Sequence, residues 1–197
     1  RTVRNYCRQG KIAGAFLTGT VWNIPADSLP PERKKKRLSP LLKVLREQKD
    51  GKLKGGIYHR VQIDLTYNSN HIEGSKLTKD QTRMIFETHT IMAQADSTVR
   101  VDEIIETVNH FRCVDFIIDH ALDPLTEGMI KQLHKILKTG TVDSTKDWFA
   151  VGDYKRLPNE VGGIETSSPE DVTKDMRTLL DWHRQQKPRT EETIIGF

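Results

Sequence analysis

Two side chains in one short stretch are spaced to act together. In Tyr67-Asn68-Ser69-Asn70-His71-Ile72-Glu73-Gly74, Ser69 and Glu73 stand four residues apart, which puts them on one face of a helix. A carboxylate so placed can neutralise a cationic clamp and repel phosphate, while the hydroxyl can only orient its neighbour. An ordinary solvated helix surface uses the same two residue types. A second group lies at the start of the chain, where Thr2, Arg4, Asn5, Arg8 and Lys11 are types able to meet phosphates and base edges in a major groove. Cys7 and Cys113 lie far apart without metal-ligand spacing and read as two reduced thiols of a cytoplasmic protein. No metal site is expected.

Charge divides the chain. Residues 1–60 hold 15 Lys/Arg against 4 Asp/Glu, and the remaining 137 hold 16 against 23, so a basic head precedes an acidic body although the net charge is only +4. Such a head can seek a phosphate-rich partner or simply be solvated. No stretch approaches the length of a membrane-spanning helix and no secretory leader is visible. With 197 residues and 36% apolar content, one ordinary domain and a small satellite are expected.

The elements that position these residues are mostly helical. Thr2–Gln9 reads as a short helix closed by Gly10, followed by a hairpin of Ala15–Leu17 and Thr20–Ile24 turning at Thr18-Gly19. Pro25 to Pro31 breaks regular structure, and Arg33–Arg37 forms a charged connector. After Pro40, Leu41, Leu42, Val44 and Leu45 mark a helix interrupted at Gly51 and Gly55-Gly56. Ile57–Ile72 reads as the next, with Ile57, Val61, Leu65 and Asn68 on one stripe and Gly74 as its stop. Thr78 and Gln81 have capping-box spacing, with Met84, Ile85 and Ile91 as the buried side of the helix they open. Val101–Ala121 reads as a central core helix, apolar over much of its circumference. Thr126 caps a helix to Leu137, ended by Gly140. Residues 148–163 suggest a projecting hairpin beginning with Trp148–Val151, with Trp148 and Phe149 as core residues. Asp171–Gln186 is helical again, offering Met176, Leu179, Leu180 and Trp182 to the core.

Several of these segments, in this order, resemble the Fic family of protein AMP-transferases over roughly residues 41–197. Ser69, Glu73 and Gly74 match its inhibitory-helix pattern of Ser or Thr, three residues, Glu, then Gly or Asn. The resemblance implies that Glu73 pairs with an arginine of the catalytic loop and occupies the place of the ATP γ-phosphate. Gly152-Asp153-Tyr154-Lys155-Arg156 and Asn159–Gly163 resemble the Fic flap, which holds the target segment, so Gly152, Asp153, Tyr154, Lys155, Val161, Gly162 and Gly163 are the expected target-binding residues. Val108-Asn109-His110 and the 166–182 stretch also match the family's order. Residues 2–11 and the Trp22 hairpin resemble the recognition helix and wing of a winged helix-turn-helix, implying DNA as a partner.

The family's active loop, His, Pro-Phe, an acidic residue, then Gly-Asn-Gly-Arg, does not occur in the 197 residues. The seven histidines, at 59, 71, 89, 110, 120, 134 and 183, lack that context and read as core, surface or packing residues. Arg1 in place of an initiator methionine, and a helix that opens at Glu191 and runs out at Phe197, suggest a piece of a longer protein. The expectation is a mainly α fold: a partial winged helix-turn-helix and linker at 1–37, then a Fic-like helical core with a β-hairpin flap at 38–197. The functional expectation is part of a self-inhibited protein adenylyltransferase, inactive by itself, with ATP and Mg²⁺ used by the complete family member and a protein hydroxyl as acceptor. The alternative is a DNA-binding or antitoxin-like regulatory chain without catalysis.

Overall fold

A computed structural model describes residues 2–29, 38–92 and 98–186. The chain divides into two units, Arg1–Arg37 and Leu38–Phe197. The Arg33–Arg37 connector and the segment from Glu191 to Phe197 lie outside the described residues.

In the first unit, helix α1 (Thr2–Arg8) precedes a hairpin of β1 (Phe16–Thr18) and β2 (Val21–Asn23). Cys7 and Ile12 are its buried apolar residues. Thr18 pairs with Val21, so the turn residues are Gly19 and Thr20, one position later than expected. Gly19 has φ +59°, the left-handed backbone that a type II′ turn requires at its first central residue.

The second unit is built from α2 (Pro40–Asp50), α3 (Ile57–Ile72), α4 (Lys79–Thr88), α5 (Val101–His120), α6 (Glu127–Lys138) and α7 (Val172–Gln185), with a small hairpin, β3 (Glu160–Val161) and β4 (Ile164–Glu165), before α7. Local chemistry sets the helix ends. Ser39 accepts from the Leu42 amide ahead of Pro40, Thr126 caps α6 at the Met129 amide, and Thr78 and Gln81 form both bonds of the capping box. The guanidinium of Arg46 reaches the last carbonyls of α5, 2.7 Å from Asp119 O and 3.1 Å from Ile118 O, where a cation also suits the helix dipole.

Leu42, Tyr58, Val114 and Ile118 form one apolar cluster between α2, α3 and α5. Leu77, Ile85 and Phe111 form another, and Phe86 packs against both. The Phe86 and Phe111 rings meet edge-on with centroids 4.9 Å apart.

Between these clusters runs a polar seam that the apolar pattern does not anticipate. The buried face of α3 is Tyr58, Gln62, Ile63 and Thr66, while Leu65, on the stripe read from the sequence, is exposed. Gln62 Nε2 shares its hydrogens among Asp115 Oδ1 at 2.8 Å, Tyr58 Oη at 3.0 Å and the Phe111 carbonyl at 3.3 Å. The Tyr58 hydroxyl donates to Asp115, and burial with this neighbour pushes its pKa up. Helix α5 likewise buries Glu103, Thr107 and Asn109 and leaves Val101 and Ile117 exposed. Each of these buried polar side chains on α3 and α5 finds a partner on a neighbouring element, which offsets its desolvation, although Gln62 Oε1 makes no hydrogen bond among the described residues.

Two further expectations change. Residues 148–151 form no strand, and Trp148 is half exposed rather than core. In α7 only Leu180 is fully buried; Leu179 and Trp182 are partly exposed. Both cysteines are free thiols, and burial pushes that of Cys113 up to about 11. No helix among the described residues is long and apolar enough to cross a membrane.

Candidate functional site

Helix α3 ends at Ile72, and Glu73 is its C-cap, with its amide donating to Ser69 O at 3.2 Å. Gly74 follows at φ +89° with nothing near an added Cβ, so the backbone angle rather than space calls for glycine. The turn is closed by Gly74 N to His71 O at 3.1 Å and Ser75 N to Asn70 O at 2.9 Å. Ser69 and Glu73 thus face one cavity of about 770 Å³, lined also by Arg100, Glu106, His110 and Lys138. Glu73 is exposed there and makes no side-chain hydrogen bond or ion pair among the described residues.

The cavity's cations are in a different state. Lys138 lies 2.7 Å from Glu106 and 3.6 Å from Asp143, Lys146 is 2.6 Å from Asp143, and Arg100 is 2.8 Å from Glu103. Burial works against charge on Lys138, yet Glu106 and Asp143 raise its pKa. With each cation already paired to a carboxylate, these residues do not by themselves make a triphosphate clamp. No group of three or more metal-ligating side chains occurs among the described residues. The carboxylate of Glu73 faces this space with no hydrogen bond or ion pair among the described residues, and Asp102, which accepts from the Val142 amide, also lines it.

Besides the Tyr58 and Gln62 bonds, further contacts hold the presenting helix and the turn after it to α5. Thr66 Oγ1 meets His110 Nδ1 at 2.9 Å, Asn70 donates to Thr107 at 2.9 Å, and Ser75 donates to Glu103 at 3.1 Å. Sequence reading left these partners out because each is a polar residue in a helix, normally a surface choice. Their four-residue repeat along α3 (58, 62, 66, 70) and α5 (103, 107, 111, 115) is the signal that could have found the facing stripes.

The expected flap residues fall into two groups. Val161, Gly162 and Gly163 form the hairpin, Val161 pairing with Ile164 around a Gly-Gly turn at φ +59° and +79°, as type I′ geometry requires. Val161 and Ile164 are exposed. Gly152, Asp153 and Tyr154 are instead fastened to α6 and are not part of the hairpin. The Gly152 amide donates to His134 Nδ1 at 3.1 Å, and a Cβ on Gly152 would come within 2.8 Å of Lys135. Asp153 lies 2.8 Å from Lys131, whose ammonium also stands 4.0 Å from the centre of the Tyr154 ring. Lys155 links the groups by donating to Asn159 and Thr166 at the hairpin's base.

In the first unit, Arg4, Asn5 and Arg8 of α1 and the following Lys11 are exposed, and Thr2 opens the helix. Lys11 lies 5.8 Å over the Tyr6 ring.

Among solved structures, the chain is similar to a Fic domain-containing signaling protein from Bacteroides thetaiotaomicron VPI-5482, at 27% identity and TM-score 0.53, covering 73% of this chain and 55% of that one. This likeness supports the resemblance to Fic proteins. A Fic family protein from Desulfovibrio desulfuricans G20 is similar in fold, at 19% identity and TM-score 0.54, covering 80% of this chain and 49% of that one. The chain spans about half the length of both solved proteins. No protein-family model and no curated protein matches its sequence.

Proposed function

We propose that residues 38–197 form the regulatory and target-holding part of a Fic-type site that transfers AMP from ATP to a protein hydroxyl. Members of this family typically transfer AMP. The 197 residues contain no His-Pro-Phe or Gly-Asn-Gly-Arg segment, so the reading assigns them control and target alignment rather than proton transfer. ATP with Mg²⁺ would be held chiefly by groups outside the described cavity, whose own cations are paired.

The observation that carries the reading is Glu73, an unpaired carboxylate held at a helix end with Ser69 over an open cavity. A carboxylate there takes the arginine of a catalytic loop and denies it to the γ-phosphate, by charge neutralisation and by repulsion. The exposed edges of β3 and β4 support the second role, since an extended target can add main-chain hydrogen bonds to such an edge. Glu73→Gly in the complete gene product tests the reading: AMP incorporation rises if Glu73 inhibits, and stays the same if it is a solvated helix-end residue.

A second reading concerns residues 1–37. Arg4 and Arg8 are exposed one helical turn apart while Cys7 is buried, which leaves a basic face for duplex DNA. DNA affinity of the complete gene product that falls steeply with salt, and weakens in Arg4→Ala/Arg8→Ala, supports this role. Binding indifferent to both arginines removes it.

A further inference from the structure

Glu73 is the first residue past the last turn of α3, so its direction depends on the turn that follows as much as on the helix. That turn is bound to α5 by one carboxylate. Glu103 Oε2 accepts from the backbone amide of Lys76 at 2.9 Å and from the Ser75 hydroxyl at 3.1 Å, while Oε1 accepts from Arg100 Nε at 2.8 Å. The Glu103 side chain is 4% exposed and that of Arg100 72% exposed, so the acid is fixed inside and the arginine shields it from outside. Burial raises the Glu103 pKa, but the Arg100, Lys76 and Ser75 bonds outweigh this and hold it below the ordinary carboxylate range.

We propose that Glu103 is a positioning residue for autoinhibition: by gripping Ser75 and Lys76 it fixes the turn that aims Glu73 into the cavity. The inference rests on the inhibitory reading of Glu73. Without the grip, Gly74 at φ +89° becomes a hinge free to move, and Glu73 no longer dwells where a loop arginine would meet it. Arg100 strengthens the acceptor without touching the turn.

The experiment compares AMP transfer by the complete gene product as wild type, Glu103→Ala, Glu103→Gln, Glu73→Gly and the Glu73→Gly/Glu103→Ala double variant. Glu103→Ala should raise transfer roughly tenfold, the equivalent of one lost charge-assisted hydrogen bond. Glu103→Gln, whose amide oxygen still accepts from Lys76 and Ser75, should stay near wild type. The double variant should match Glu73→Gly. A merely structural glutamate would instead lower transfer in both backgrounds. If Glu73→Gly is activated but Glu103→Ala is not, or if Glu103→Ala adds to Glu73→Gly, the positioning role is overturned and the inhibitory reading stands. If Glu73→Gly itself is not activated, both fall.

Two measurements guard against a variant that does not fold. Ser75→Ala removes one bond of the grip and should give a smaller, Glu73-dependent rise; no rise from the folded variant overturns the proposal. In the 197-residue chain, hydrogen exchange of the Lys76 amide should quicken in Glu103→Ala and not in Glu103→Gln. Unchanged exchange in folded Glu103→Ala overturns the proposal as well.

Discussion

Thr66 Oγ1 lies 2.9 Å from His110 Nδ1, and this contact couples the helix that presents Glu73 to the central helix of the Fic-like core. His110 also lines the cavity that Glu73 faces. Burial lowers its pKa below the ordinary 6.5. His134, which accepts from the Gly152 amide, is lowered by burial and then by Lys138.

Both shifts make stability depend on pH in one direction. A histidine held neutral in the folded state takes up a proton more readily when unfolded, so its contribution is complete above pH 6.5 and is lost as pH falls from there towards the folded pKa. Urea unfolding should show lower stability at about pH 5.5 than at about pH 7.5. His110→Asn, which keeps a hydrogen-bonding group near Thr66 without titrating, should flatten this dependence. An unchanged slope would show that the histidine is not held neutral.

Gly74 yields a sharper stability prediction. Its φ of +89° disfavours any side chain, and no atom lies within 4 Å of an added Cβ. Gly74→Ala should therefore destabilise by about 1–2 kcal/mol, and Gly74→Asn by less, since asparagine enters left-handed backbone more easily. Equal losses for both in denaturant melts would point to crowding instead of backbone strain.

Asn109 carries a different load. It is 2% exposed, and its Nδ2 donates to Leu137 O at 2.9 Å and Thr139 O at 2.8 Å, tying the end of α6 to α5. Asn109→Ala removes two part-buried hydrogen bonds and should cost about 1–2 kcal/mol. Chemical denaturation checks it, and a loss within error would mean that water replaces the amide.

How much of this was legible in the sequence depends on which code each element uses. Thr78 and Gln81 announce the start of α4 through residue chemistry alone, and Gly74, Gly140 and Gly163 mark places where the chain must turn. The apolar stripe of α3 does not mark its buried face. Leu65 faces out, while Gln62 and Thr66 are fully buried among partners on a helix more than 40 residues away. Only tertiary pairing makes those burials tolerable, and periodicity in one helix does not contain it. The strand reading of residues 148–151 differs from the structure for a related reason. Trp148-Phe149-Ala150-Val151 has strand-forming residues but no partner strand, and Gly152-Asp153-Tyr154 is held by contacts to Lys131, His134 and Lys135 on α6.

The Gly162-Gly163 turn tests the target-holding role. Replacing both with alanine strains two left-handed positions and disfavours the two-residue turn. In the Glu73→Gly background of the complete gene product, target labelling should fall roughly tenfold, about the worth of one lost hydrogen bond. Unchanged labelling would reduce the hairpin to an ordinary exposed turn.

The central claim is that Glu73 restrains AMP transfer, and incorporation of labelled AMP from ATP and Mg²⁺ by wild-type and Glu73→Gly complete gene product tests it most directly. Removing the carboxylate frees the arginine for the γ-phosphate and allows in-line attack, so auto-modification and target labelling should both rise. Ser69→Ala should act in the same direction but more weakly, because a hydroxyl orients its neighbour without carrying charge. A solvated glutamate at the C-cap predicts otherwise: little change in stability and little change in transfer. Equal labelling by the two folded proteins would contradict the account.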